Sequence, residues 1–546
     1  MSDVAYGGAS VKRAFSAAFA RLVRVREVVA RLSGWRALAA NAVAGAVAAS
    51  AFAPLYIWPG LAVGFALFLW TLDGARSGPK PLRAGFLRGW AFGFGYFLVS
   101  TYWMSFSMLV QAEEFAWMMP IAILGMPAFL GLFMAGAGLA ATAVSGGAGR
   151  RALALALAVS ASEYLRGHIL TGLPWNLVGQ ALAAHAAPIQ LAAFIGPYGL
   201  SFIVIGLSIL PALAVYAASP QRAALPVAAA LAGLAGLYAL GGLRLVVHPP
   251  SDRDDVLVRV VQPSVPQREK IDPEFYWRNL DRNLALSGGR SDERITFVLW
   301  GENAAPLIAD EPSPRAYVSE ALPEGAVLLA GSVRRIERDG RTRYTNGFAA
   351  LDADAGEILG VYDKHHLVPF GEYLPFEGLL RAVGLSQLAP FAEGLYPGDG
   401  PKTLDIAGVR VSPVICYETI FPGSIYPRGD RPDWIAIVTN DGWYGDTSGP
   451  RQHLDQARLR AVESGLPVAR AANTGVSALI DGYGRYRFRI DLYEADAREG
   501  ALPEAAPETL YARIGDAAYA LMFLSAAALL AWPRAAKSLT RRILKS

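Results

Sequence analysis

Three residues of chemically useful type stand at similar places in the second half of the sequence. Glu302, Lys364 and Cys416 each come directly after a short run of mostly apolar residues. Side chains at the ends of strands point into the crevice at one edge of a sheet, where α/β proteins bind ligands. Each residue also has an ordinary structural explanation when taken singly: a solvated cap, a surface lysine and a small buried thiol.

Taken together, a glutamate, a lysine and a cysteine could transfer an acyl group through a thioester. A thiol has an ordinary pKa of about 8.5 and needs a base to become a nucleophile. A carboxylate in a partly desolvated site can accept that proton. An ammonium group nearby can stabilise the oxyanion that forms when sulfur attacks a carbonyl. The three side chains would therefore form a complete site for nucleophilic catalysis.

The elements that must position these residues are typical of an α/β sandwich. Short runs rich in β-branched residues predict strands, and amphipathic stretches at 267–288 and 453–464 predict helices. Strands interleaved with helices and hairpins favour this fold class. The predicted strands are 256–261, 295–300, 326–331, 344–351, 358–362, 409–415 and 434–439.

Composition sets the first half of the chain apart. The 546 residues are 53% hydrophobic and 18% charged, whereas soluble proteins carry roughly 25% charged residues. The apolar excess lies in the first 250 residues, which indicates a membrane domain joined to a soluble one. Basic residues crowd the termini and short loops, which argues against nucleic acid as a partner. The single cysteine excludes an internal disulfide.

Eight stretches are long and apolar enough to predict transmembrane helices. The basic N-terminal region, with the short basic loops, places both termini in the cytoplasm and residues 245–514 across the membrane. We therefore predict tails at 1–36 and 534–546, seven spans within 37–244, and an eighth at 515–533. The stretches centre on 37–54, 56–73, 86–110, 115–143, 151–167, 189–217, 223–244 and 515–533.

The order Glu, Lys, Cys, with Cys416-Tyr417-Glu418 after a strand, resembles the carbon–nitrogen hydrolase (nitrilase) superfamily. Longer sequence motifs resemble those of the apolipoprotein N-acyltransferase family within it, as does the predicted eight-span topology. Trp300-Gly301-Glu302 departs slightly from the family's motif, in which Ser or Pro can also stand before the glutamate. The motifs that carry this resemblance are Val-Gln-Pro-Ser-Val-Pro-Gln at 261–267, Trp-Gly-Glu-Asn at 300–303, Tyr-Asp-Lys-His-His-Leu-Val-Pro-Phe-Gly-Glu-Tyr at 362–373, Asn-Asp-Gly-Trp-Tyr-Gly at 440–445 and Gln-His-Leu at 452–454.

This resemblance implies a four-layer αββα nitrilase domain and a two-step acyl transfer. Cys416 would take an acyl chain from a membrane phospholipid and pass it to the N-terminal α-amine of a diacylglyceryl-modified apolipoprotein. Glu302 would be the general base and Lys364 the oxyanion stabiliser. Glu372 matches a second essential carboxylate, and the supporting residues would be Tyr417, Glu418 and Trp443.

The resemblance also implies a location and a set of partners. The chain would lie in the bacterial inner membrane, with residues 245–514 as a periplasmic catalytic domain. Its partners would be the phospholipid donor, the lipoprotein acceptor and the bilayer, with no nucleic acid. No cofactor or metal is implied, and nothing in the sequence demands more than a monomer.

Several interpretations stay open at this point. A membrane-tethered hydrolase would pass the acyl group to water, and a transporter with an accessory domain or a degenerate binding module would do no such chemistry. The apolar stretch 376–391 predicts a lid that enters the outer leaflet, or else a helix packed on the core. Glu163 and Arg166 would be a functional pair or a structural i,i+3 pair. We expect His453 to hydrogen-bond within the fold.

Overall fold

A computed structural model describes residues 3–288, 296–338, 340–375 and 394–543. The chain divides into two compact units. The first comprises Met1–Ser105, Trp117–Arg244 and Ile514–Ser546, and the second comprises Phe106–Ala116 and Leu245–Arg513. The predicted lid at 376–391 lies outside the described residues.

The first unit is helical throughout its described part. Glycines spaced by four let two of its helices approach closely: a Cβ on Gly89 would lie 2.3 Å from the carbonyl oxygen of Met134. Small residues at this spacing are typical of helices that pack within a membrane. The α-helices are Asp3–Arg31, Gly34–Ala49, Pro59–Arg76, Pro81–Thr101, Met119–Ala143, Ala148–His168, Ala186–Ile189, Ala192–Ile209, Pro220–Val247 and Ala517–Ile543.

A helix lies in each of the eight apolar stretches, with two notable differences in extent. The stretch 86–110 leaves the α-helical conformation at Thr101, and a helix at Asp3–Arg31 occupies most of the predicted N-terminal tail. Three described segments are long and apolar enough to cross a membrane: Ala112–Ala143, Ala192–Tyr216 and Pro220–Val247. Ala517–Trp532 is a shorter apolar helix.

The buried charges of helix Ala148–His168 bind backbone groups of the loop that follows it. Glu163 accepts a hydrogen bond from Val178 N at 2.7 Å, and Arg166 donates to the carbonyls of Leu173 and Trp175. A second oxygen of Glu163 accepts from the hydroxyl of Ser201. These contacts give the two charged residues a structural task, because they satisfy buried polar groups of the loop.

The second unit contains two six-stranded sheets of mixed direction. In the first sheet the strand order is β12-β1-β2-β3-β4-β5, and in the second it is β11-β10-β9-β8-β7-β6. The strands are β1 Asp252–Gln262, β2 Phe297–Trp300, β3 Val327–Arg338, β4 Arg341–Asp352, β5 Ile358–Asp363, β6 Leu404–Ile406, β7 Val409–Ile415, β8 Trp434–Thr439, β9 Val468–Ala472, β10 Ser477–Ile480, β11 Tyr486–Ile490 and β12 Asp496–Pro503.

Alternating apolar residues of the strands form three cores, and these cores define four layers. The two sheets face each other across a central core in which the rings of Phe297 and Trp434 lie 5.5 Å apart. Helices cover both outer faces, because each sheet buries apolar side chains on both sides. The unit is therefore an αββα sandwich. Its α-helices are Ala112–Phe115, Gln267–Ile271, Tyr276–Ser287, Pro312–Ala321, Ser448–Ser464 and Leu510–Ile514.

One predicted element is divided and several were not predicted. The helix expected at 267–288 is interrupted at Asp272–Pro273, because proline cannot donate a backbone hydrogen bond within a helix. Strand β6 and strands β9 to β12 were absent from the prediction. Parallel pairing joins β2 to β1 and β3, and β7 to β8. The carboxyl ends of β2, β7 and β8 therefore carry the polar turns described next.

Candidate active site

Glu302 occupies a tight turn after β2. Its backbone N–H donates to the carbonyl oxygen of Thr439 at 3.3 Å, which joins the ends of strands from the two sheets. The neighbouring strand must come very close to this turn, since a Cβ on Gly331 would lie 2.5 Å from the Cα of Glu302. A glycine is therefore required at that position of β3, and it fixes where the carboxylate stands.

Lys364 follows β5 and is completely buried. Its ammonium nitrogen lies 2.9 Å from Glu372 Oε1 and 3.7 Å from Glu302 Oε1. Burial would lower the pKa of Lys364, but the carboxylates of Glu372 and Glu302 outweigh it and raise that pKa. The lysine is therefore a fixed cation between two acidic side chains.

Asn346, in the middle of β4, bridges the two carboxylates. Its amide nitrogen donates to Glu302 Oε1 at 2.7 Å and to Glu372 Oε1 at 2.8 Å. The other oxygen of Glu372 accepts from Val368 N at 2.7 Å. Asn346 was not among the predicted site residues. An amide within a buried strand, beside Gly347 and after Thr345, was nevertheless a visible signal of a polar site.

Cys416 is the first residue after β7 and has a backbone φ of 49°. This left-handed conformation is uncommon outside glycine. The charges of Glu302 and Lys364 both act on the pKa of the Cys416 thiol, and Cys416 in turn acts on the pKa of Glu302 and of Lys364. The structure thus brings Glu302, Lys364, Cys416 and Glu372 together in one cluster, in which Cys416 is half-buried.

The electrostatics of the cluster assign the proton to sulfur in the resting site. Burial raises the pKa of the Cys416 thiol, the Glu302 carboxylate raises it further, and Lys364 offsets only part of this. Burial also raises the pKa of Glu302, against the opposing effect of Lys364. A free thiolate is therefore disfavoured here, so any nucleophilic attack by this sulfur would need its proton to pass to a base.

Glu418 braces the two turns that carry Lys364 and Cys416. One of its oxygens accepts from the Tyr362 hydroxyl at 2.7 Å and from His365 N at 2.9 Å. The other accepts from Ile415 N at 2.8 Å. Burial alone would raise the pKa of Glu418, but the His365 imidazole, whose Nδ1 lies 2.7 Å from Oε1, outweighs it together with the Tyr362 hydroxyl and Ile415 N, and the pKa is lowered. Its contacts are those of a structural support for the turns.

Tyr417 and Trp443 lie at the border of the cluster. The ring of Tyr417 packs against His366 and Phe421 with centroids 5.8 and 5.3 Å apart. Trp443 is half-buried in the turn after β8. A substrate role for either residue stays a prediction.

Lys270 is a second lysine near Glu302, and it was not among the predicted site residues. Its ammonium nitrogen donates to the carbonyl oxygen of Asn303 at 2.9 Å. Burial lowers the pKa of Lys270 to about 8, with Glu302 opposing the shift. This lysine supports the turn that holds Glu302.

A sandwich of this kind, with glutamate, lysine and cysteine on adjacent turns, defines a carbon–nitrogen hydrolase domain. The Carbon-nitrogen hydrolase family model matches residues 287–494. The model of the apolipoprotein N-acyltransferase N-terminal domain matches residues 44–210. The two matches account for both units of the chain.

Curated relatives named apolipoprotein N-acyltransferase are similar over nearly the whole chain. The protein from Rhodopseudomonas palustris is 38% identical over 91% of this chain and 95% of its own length. That from Bradyrhizobium diazoefficiens is 38% identical over 95% and 99%, and that from Brucella melitensis 39% over 88% and 92%. The chain belongs to the apolipoprotein N-acyltransferase family, so the resemblance drawn from the sequence is confirmed.

Proposed function

We propose that Cys416 accepts an acyl chain from a membrane phospholipid and that the chain then passes to the N-terminal α-amine of a diacylglyceryl-modified apolipoprotein. Family membership supports the acyltransferase class, and the electrostatically coupled cluster of Glu302, Lys364 and Cys416 supports the assignment of residues. The reaction is ping-pong, with a thioester on the enzyme between two half-reactions.

In the first half-reaction, Glu302 removes the thiol proton while the sulfur of Cys416 attacks the ester carbonyl carbon. The carbonyl oxygen becomes an oxyanion that the ammonium group of Lys364 stabilises. When the tetrahedral intermediate collapses, the ester C–O bond breaks and Glu302 returns the proton to the departing glycerol oxygen. The products are a thioester on Cys416 and a lysophospholipid.

In the second half-reaction, the lipoprotein amine attacks the thioester carbonyl. Glu302 accepts a proton from the amine nitrogen, and Lys364 again stabilises the oxyanion. The C–S bond then breaks, the proton passes from Glu302 to sulfur, and the N-acylated product leaves. Cys416 and Glu302 return to their starting protonation states.

We further propose that eight helices span the bacterial inner membrane, with both termini cytoplasmic and the sandwich on the periplasmic side. Three long apolar segments support a membrane location, and helices in the other predicted stretches support the higher count. A periplasmic site gives access to the outer leaflet, where both lipid substrates would be reached. Tyr417 and Trp443 are proposed to contact substrate, and a monomer is sufficient for this chemistry.

The decisive experiment follows the acyl group on the purified full-length protein. We expect vesicles of phosphatidylethanolamine to produce an acyl adduct, detected by intact mass, that neutral hydroxylamine removes. The adduct should be absent from Cys416→Ala and hydroxylamine-resistant if formed on Cys416→Ser. A synthetic diacylglyceryl-cysteine peptide should discharge the thioester and become N-acylated. An equal adduct on Cys416→Ala would contradict the nucleophile, and release of free fatty acid without peptide acylation would indicate a hydrolase.

A further inference from the structure

The backbone carbonyl of the nucleophile is held by a buried polar chain outside the groups that react. His453, on helix Ser448–Ser464, has Nε2 at 3.1 Å from the Cys416 carbonyl oxygen. Its Nδ1 lies 2.8 Å from Asp441 Oδ1, and Asp441 Oδ2 accepts from Arg470 Nη2 at 2.6 Å. The side chains of His453, Asp441 and Arg470 are all buried. We call these three residues the histidine relay.

The partners of His453 define the role of its Nε2 atom. A carbonyl oxygen can accept and cannot donate, so Nε2 must carry a proton. Nδ1 lies beside the Asp441 carboxylate, and Arg470 Nη2 lies 3.3 Å from the same nitrogen. Burial would raise the pKa of Asp441, but His453 and Arg470 outweigh it and lower that pKa to about 2.

The bond to the carbonyl acts on a residue with an uncommon backbone conformation. Cys416 has φ 49°, a region that a side chain with a Cβ disfavours. This conformation ends β7, and the charge of Glu302 acts on the thiol. A strained residue persists when its surroundings hold it on several sides. The Ile415–Glu418 bond holds the turn from one side, and the histidine relay holds the carbonyl from the other.

We propose that His453 is a positioning residue, whose Nε2–H fixes the Cys416 turn so that the thiol faces Glu302. Asp441 and Arg470 in turn hold the ring. The proposal deepens the acyltransferase function and relies on it for the effect on turnover. The orientation of the thiol itself does not depend on which acyl group the enzyme takes.

Two amide substitutions separate the two bonds of the histidine ring. His453→Asn places an amide near the Nδ1 position, beside Asp441, and removes the donor to Cys416. His453→Gln places an amide nitrogen near the Nε2 position and can restore that donor. We expect His453→Asn to slow thioester formation about tenfold or more with an unchanged phospholipid KM, and His453→Gln to stay within about threefold of wild type.

Alkylation of the thiol tests the positioning without any lipid. Cys416 is the single cysteine of the chain, so the rate of its modification by iodoacetamide, followed by intact mass, reports on this sulfur. We expect the same order of rates: wild type, then His453→Gln, then His453→Asn. Ser464→Ala is the matched control, because Ser464 lies buried on the same helix and its hydroxyl donates to the backbone carbonyl oxygen of Arg460. The control should alkylate at the wild-type rate.

Equal alkylation rates in folded wild type and His453→Asn would overturn the proposal, as would equal slowing by Asn and Gln. If neither amide variant folds, 15N-histidine labelling of the wild type decides the matter: a His453 signal in which Nε2 carries no proton overturns it. If alkylation follows the expected order but no thioester forms from phospholipid, the proposed function fails while the positioning role stands.

Discussion

The ammonium nitrogen of Lys364 lies 2.9 Å from Glu372 Oε1, closer than its 3.7 Å separation from Glu302 Oε1. The cation is therefore paired mainly with Glu372. This leaves Glu302 able to accept a proton, because its negative charge is only partly compensated. Asn346 holds the two carboxylates in this unequal arrangement.

Lys364→Arg should abolish most of the activity although the positive charge is retained. Lys364 is completely buried, and a planar guanidinium cannot occupy the place of a compact ammonium group. We expect kcat for lysophospholipid release to fall about 100-fold or more. Arg335→Lys, at an exposed ion pair with Glu311, is the control. Turnover near the wild-type value in Lys364→Arg would show that the lysine is structural.

Glu372→Gln should move the acid limb of the pH–rate profile to lower pH. Burial raises the pKa of Glu302 most strongly, Lys364 lowers it, and the charge of Glu372 raises it further. Removing that charge lowers the Glu302 pKa, so the base stays deprotonated at lower pH. The maximal rate should also fall, because Lys364 loses its closest partner.

We expect the acid limb to shift by about one pH unit or less. The measurement is the pH profile of kcat for thioester formation, recorded in vesicles between pH 5 and pH 9. Glu311→Gln, on the exposed ion pair, should leave the profile in place. A shift of the acid limb toward higher pH would mean that Glu372 does not act on the base electrostatically.

How much of this site could be read from the sequence depends on the range of the interactions. Glu302, Lys364 and Cys416 follow local strand signals, and the structure clusters them because β2, β5 and β7 end near one another. Asn346 and the histidine relay depend on pairing between distant strands, which apolar patterning does not report. Glu418 was predicted as a supporting residue near the site, but its bonds to both turns depend on how those turns fold.

The positions of the apolar helices were predictable for a different physical reason. Hydrophobic length is a local signal, so a helix overlaps each predicted stretch. The end of helix Pro81–Thr101 was missed because the apolar composition continues past Thr101. The grouping of Phe106–Ala116 with the sandwich unit was also missed, since it reflects contacts such as Arg268 with Glu113.

Asp73→Asn should destabilise the helical unit without altering the chemistry. Asp73 is buried, and it accepts hydrogen bonds from Arg26, Arg151 and Tyr216. Removing its charge leaves two guanidinium groups around a neutral amide, which costs about 3 kcal/mol by the usual effect of breaking a buried ion pair. The melting temperature in detergent should fall, while thioester formation per folded molecule stays near wild type. An unchanged melting temperature would contradict this.

Glu418→Gln should separate support from catalysis at the site. The amide can keep the bonds from Tyr362 and His365 through one oxygen, but its nitrogen faces Ile415 N, another donor. A buried donor left unsatisfied costs about 1–3 kcal/mol. We expect a lower melting temperature together with slower alkylation of Cys416. Slower acyl transfer with normal stability and alkylation would instead assign Glu418 to substrate binding.

Asp441→Asn should make the protein less sensitive to acid. The pKa of Asp441 falls from an ordinary 3.8 to about 2 in the folded chain. A carboxylate with a depressed folded pKa stabilises the fold above its unfolded pKa, and that stabilisation is lost as pH falls through the folded pKa. The window therefore runs from about pH 4 down to pH 2, and the loss in wild type is about 2 kcal/mol.

The measurement is a series of thermal melts in a non-ionic detergent at pH 7, 4, 3 and 2. At pH 7 Asp441→Asn should be the less stable protein, because His453 and Arg470 lose their anionic partner. Its melting temperature should then fall less steeply than that of wild type between pH 4 and pH 2. Asp446→Asn, which removes an exposed carboxylate of the same turn region, should follow the wild-type curve. Parallel curves for Asp441→Asn and wild type would mean that His453 and Arg470 do not hold Asp441 ionised in the folded chain.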